Sequence, residues 1–109
     1  MKVQKVQKIS VAHARRESAY LIPLRHALQN QGISDDLYSL DGYAEDRICI
    51  EKARGYWSIY TGSRGRKLDE KRLASPDAAC VALIKKVADS DEQERMTLRN
   101  YRQLVRRIF

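Results

Sequence analysis

A chain of 109 residues, 43% hydrophobic and 32% charged, has the length of one domain and the composition of a folded globule. Its 21 Lys and Arg against 14 Asp and Glu leave a formal charge of +7. That length excludes a two-domain enzyme with its own cofactor fold, two cysteines exclude a disulfide framework, and no apolar run nears the ~20 residues of a membrane span. The basic start of the chain has no apolar signal-peptide core, so a reducing cytoplasm is the expected compartment.

Residues 1–14, with Lys2, Lys5 and Lys8 three apart, read as a basic arm, a short strand or a frayed helix attached to a single domain spanning 1–109. A helix then runs to Gln31, its apolar stripe made of Tyr20, Leu21, Leu24, Ala27 and Leu28 and its end marked by Gly32. Pro23 either kinks this helix or marks where the well-formed part begins, and the kink is the expectation. Tyr38–Leu40 reads as a short strand, followed by the polar loop Asp41–Asp46. Arg47–Glu51 and Tyr56–Tyr60 are rich in Ile, Tyr and Trp, as strands prefer. A four-residue loop at Lys52–Gly55 would set Glu51 opposite Tyr56, Ile50 opposite Trp57, Cys49 opposite Ser58, Ile48 opposite Ile59 and Arg47 opposite Tyr60. That register separates an apolar face from a polar one.

Gly62–Gly65 is a turn, and Arg66–Leu73 forms an edge strand guarded by Lys67, Lys71 and Arg72. Ser75 and Pro76 start a helix to about Ala88, with Ala79, Cys80, Leu83, Ile84 and Val87 facing inward. Ser90 and Gln93 start a last helix through about Arg107, with Leu98, Tyr101, Val105 and Ile108 on its packing face. Arg95, Arg99, Arg102 and Arg106 form a second stripe on it. The expected fold is therefore α+β: an N-terminal helix, a small antiparallel sheet of three to four strands, and two C-terminal helices.

Charge is segregated along the chain. Residues 1–16 carry five basic side chains and no acid, whereas 32–51 hold Asp35, Asp36, Asp41, Glu45, Asp46 and Glu51 against Arg47 alone. The stretch 52–74 is basic again, and the charge of 95–109 is all arginine. Such blocks either keep a protein dissolved or steer a complementary partner.

Little in the sequence assembles into catalysis. If one helix carried both, His13 and His26 would fall on roughly opposite sides of it, and Cys49 and Cys80 read as buried fillers. Asp41, Glu45 and Asp46 read as turn formers rather than metal ligands, and no P-loop, dinucleotide or zinc pattern occurs. No cofactor, metal or small-molecule substrate is expected. Nucleic-acid binding through Arg95, Arg99, Arg102 and Arg106 stands as an alternative function, opposed by the acidic 32–51 block.

Gly32-Ile33, then Tyr38-Ser39-Leu40-Asp41-Gly42, Ile48-Cys49-Ile50-Glu51-Lys52, Trp57-Ser58-Ile59-Tyr60 and Ser63-Arg64-Gly65-Arg66-Lys67, ending in Ala78-Ala79-Cys80, is a succession that resembles an immunity-protein family of bacterial polymorphic-toxin and contact-dependent growth inhibition systems. The likeness covers about residues 24–84. Ser63 stands where the family pattern has glutamate, and no proline follows Ile33. The resemblance implies a non-enzymatic cytoplasmic protein that binds and neutralises a cognate toxin, with a nuclease-type toxin domain as the expected target. On the residues themselves, the expected gripping surface is Tyr43, Glu45 and Asp46 with Tyr56, Tyr60, Arg64 and Arg66, since Tyr and Arg are frequent anchors of interfaces.

Overall fold

The computed structural model describes residues 18–109, so His13 and the expected arm at 1–14 lie outside the described residues. Helix α1 spans Leu21–Asn30, a single 3-10 turn covers Asp35–Leu37, and strands β1 (Tyr38–Ser39), β2 (Ile48–Ala53), β3 (Tyr56–Ser63) and β4 (Arg66–Leu73) follow. Helices α2 (Pro76–Val87) and α3 (Asp91–Ile108) close the chain. The fold is α+β, with four strands in the order β1-β2-β3-β4 and the helices packed on one sheet face.

Pro23 does not kink α1. The helix begins at Leu21, so Pro23 sits in the first turn, where the missing N–H has no carbonyl to serve. Its C-terminus is closed by Gly32 at φ +70, whose N–H donates to the Gln29 carbonyl while that of Ile33 donates to Leu28, both at 3.0 Å. A left-handed residue in that position satisfies two otherwise orphaned carbonyls, and buried Ile33 completes the cap.

The sheet is mixed rather than antiparallel, because β1 pairs parallel to β2. An eight-residue loop at 40–47 returns the chain to the same end of the sheet, which suffices because β1 is only two residues long. The β2–β3 register also differs from the expected one by two residues: Ile50 pairs with Ile59, Glu51 with Ser58, Lys52 with Trp57 and Ala53 with Tyr56. The turn is Arg54-Gly55 alone, not a four-residue loop. An even shift keeps every side chain on its expected face, so Ile50, Trp57 and Ile59 still point at the helices. Trp57 is 2% exposed.

Strand β4 has the expected bounds and lies at the free edge. Its pairing with β3 skips a residue near Tyr60, where Asp69 adopts φ +53. Such a bulge, together with Lys67, Lys71 and Arg72, makes the edge a poor template for another strand.

The helix starts follow the sequence. The Ser75 hydroxyl accepts from the Ala78 N–H ahead of Pro76, and that of Ser90 accepts from the Gln93 N–H, both at 3.1 Å. The Gln93 amide oxygen accepts from Asp89, one residue before the usual capping-box donor. Ala79, Cys80, Leu83, Ile84 and Val87 are buried as expected. On α3 the buried residues are Thr97 and Tyr101, with Leu98, Leu104 and Val105 partly covered. Ile108 faces the same way as Tyr101 but lies in the final turn of α3 and is 46% exposed.

Candidate functional site

The outer sheet face, away from the helices, carries Cys49 and Glu51 from β2 with Ser58 and Tyr60 from β3. Loop 40–47 folds back over one end of it. Gly62 permits this: its carbonyl accepts from Asp46 and its N–H donates to the Arg47 carbonyl, both at 2.9 Å. A Cβ at Gly62 would lie 2.1 Å from the Ala44 carbonyl oxygen. The Cys49 thiol, buried beneath the loop, lies 3.4 Å from the Ala44 nitrogen and from the Arg47 carbonyl.

The loop is then fastened to the β3–β4 hairpin. Arg64 and Gly65 both have positive φ, the geometry of a tight hairpin turn matched to strand twist. Their consecutive N–H groups point out of the turn and meet the Glu45 carboxylate. The Tyr43 hydroxyl donates to Glu45 at 2.7 Å and accepts from the Gly65 N–H at 2.7 Å. These bonds set the electrostatics. The Tyr43 hydroxyl and the Arg64 N–H hold the Glu45 carboxyl below the ordinary range, while desolvation and Glu45 raise the Tyr43 phenol.

Beneath the clamp, the Tyr43 ring stacks on Tyr60 with centroids 6.3 Å apart. The Lys67 ammonium lies over the Tyr60 ring, 4.9 Å from its centroid, and pairs with Glu51. No described group lies in hydrogen-bond geometry with the buried Tyr60 hydroxyl; burial first, then the nearby Glu51 carboxylate, push its pKa well up. Further along, the buried Ser58 hydroxyl donates to Glu70 at 2.6 Å, and Arg72 stacks 4.7 Å over Tyr56. Ser58 is too enclosed to act as a nucleophile on a substrate.

The structure therefore brings together Tyr43, Glu45, Tyr60 and Arg64 of the expected surface. Tyr43 is 39% exposed and Arg64 is exposed, but Tyr60 is fully buried and acts as the floor rather than as a contact. Asp46 is exposed beside them, in a left-handed conformation. Tyr56 stands four residues along the strand from Tyr60, about 13 Å away, and is half-buried under Arg72. Arg66 is exposed but alternates onto the opposite side of the strand from Lys67. Glu51, Lys67, Glu70 and Arg72 belong to the site and were not expected. Reading β4 as a mere edge hid its outward alternation of Lys67, Glu70 and Arg72.

Arg95, Arg99, Arg102 and Arg106 are all exposed along α3, remote from this face. His26 is exposed, and Cys49 and Cys80 are buried free thiols. Among the described residues no group of three or more His, Cys, Asp or Glu could hold a metal ion, and no helix is long and apolar enough to cross a membrane. Compared with protein-family models, curated proteins and solved structures, the chain matches none.

Proposed function

We propose that this chain is a non-enzymatic binding protein of the immunity type, which neutralises a cognate bacterial toxin domain, of nuclease type, by protein–protein contact in the cytoplasm. The observation that carries this reading is the clamp of Glu45 and Tyr43 on the Arg64-Gly65 backbone. It fixes an exposed tyrosine, an exposed arginine and the neighbouring Asp46 on rigid hairpin geometry before any partner arrives. Such preorganisation lowers the ordering cost of association. The motif likeness over residues 24–84 supplies the class of partner, and Tyr43 with Arg64 are the anchor types interfaces favour.

The test pairs the chain with the C-terminal domain encoded by the gene immediately upstream. Calorimetry on the purified pair is expected to give a tight complex that Arg64→Glu and Tyr43→Ala each weaken at least tenfold, with the circular dichroism of the variants unchanged. Wild-type affinity in both variants removes this patch from the interface. An upstream product that neither poisons cells nor binds the chain overturns the immunity reading.

A further inference from the structure

The clamp leaves one strongly charged surface unused. Helix α3 is 18 residues long, and Arg95, Arg99, Arg102 and Arg106 recur at steps of four, three and four, so they share its solvent face over about 16 Å of axis. None of the four makes an ion pair with a described residue. They line a shallow open groove together with Gln103, the partly covered Leu98 and, at its N-terminal end, Glu94. Beside it runs an amide ledge: Asn30 at the end of α1 donates to Asn100 of α3 at 2.9 Å, and Gln31 and Gln103 border the same depression as Arg99.

We infer that this face of α3 binds the phosphodiester backbone of a nucleic acid, with the four arginines spread over its phosphates and the amide ledge toward the bases. One strand of a duplex carries a charge every 3.4 Å of axis, so a row about 16 Å long faces about five phosphates. A guanidinium presents paired N–H donors that match phosphate oxygens. The acids of the helix, Asp91, Glu92 and Glu94, are confined to its first turn; Glu94 enters the groove at the Arg95 end, and Arg99, Arg102 and Arg106 lie beyond it. The acidic block that argued against nucleic acid in the sequence folds elsewhere: Asp35, Asp36 and Asp41 gather with Arg25 and Arg47 around β1. A protein partner is less favoured because the apolar side chains lining these two depressions are Leu98 and Met96 alone, with no aromatic anchor among them. This inference uses a surface separate from the toxin-binding patch, and the two stand or fall independently.

The experiment is fluorescence anisotropy of the intact chain with labelled 20-base-pair duplex DNA, duplex RNA and single-stranded oligonucleotides, titrated between about 50 and 200 mM salt. Arg99→Gln/Arg102→Gln is expected to weaken binding at least tenfold and to lower the log–log salt slope by about 1.8, two phosphates' worth. Lys71→Gln/Lys85→Gln, which removes the same charge from exposed sites off this face, is expected to leave both nearly unchanged. Binding in any one arm with that dependence sustains the inference and identifies the nucleic acid. Absence of binding in every arm at low salt overturns it, as does equal weakening by the lysine pair. Displacement by polyglutamate as effective as by duplex of equal charge also overturns it, in favour of an acidic protein partner.

Discussion

Gly62 shows how much can rest on one missing side chain. Loop 40–47 packs so closely on β3 that a methyl there would collide with backbone, which cannot rotate aside as a side-chain tip would. Gly62→Ala is expected to cost about 1–3 kcal/mol, the usual scale of overpacking, read as a lower urea midpoint. If the loop instead lifts off, the amides of Asp46 and Gly62 lose their exchange protection. Nothing in the local sequence announces this glycine, because its φ is ordinary and its constraint comes from a segment some 18 residues earlier. Gly32, by contrast, was legible, since a glycine just after a periodic apolar stripe is what a left-handed helix cap requires.

At the scale of elements, the β2–β3 ribbon explains why alternation is easier to read than register. Ile48, Ile50, Trp57 and Ile59 declare a face by their spacing alone, and any even shift preserves it. Choosing between the four-residue loop and the two-residue Arg54-Gly55 turn requires knowing how far the ladder of hydrogen bonds continues, and here it extends to Ala53 and Tyr56. The clamp between loop 40–47 and the β3–β4 turn is likewise an element-level device, joining parts 20 residues apart through Glu45. Glu45→Gln is expected to speed amide exchange at Arg64 and Gly65 while leaving the β2–β3 ladder protected, as hydrogen–deuterium exchange would record. Unaltered protection at both amides would show that the turn holds itself. The clamp also weakens as pH falls, because a carboxyl whose pKa is lowered by its partners stabilises the fold above the ordinary carboxylate range and loses that contribution on protonation.

At the scale of the molecule, four buried acidic groups among the described residues, Tyr38 one of them, tie stability to alkaline pH. Tyr60 and Tyr101 have raised phenol pKa values, chiefly through burial, and burial pushes the Cys80 thiol up to about 12. Tyr101 also donates to Asp77 at 2.7 Å, which pins α3 to the start of α2. Each group keeps its proton more tightly when folded. Their contribution is therefore complete below the unfolded values, about 8.5 for Cys and 10 for Tyr, and is lost as pH rises toward the folded ones. The urea midpoint is expected to fall between about pH 8 and pH 11, and to fall less in Tyr60→Phe, which removes the buried phenol. An identical fall in that variant would exclude Tyr60 from the effect.

The sequence by itself determined the α+β order of elements, the Ser75 and Ser90 helix starts, the inward faces of the ribbon and of α2, and the bounds of β4, because each is written in neighbours a few residues apart. Only the tertiary structure decided that β1 runs parallel, that Tyr60 is a floor and not a contact, and that Lys67 reaches Glu51. It also carried the acidic block away from the arginines of α3. Those outcomes depend on where the chain returns after a loop, and the free energy that fixes the return is shared among many distant contacts rather than encoded at any one position.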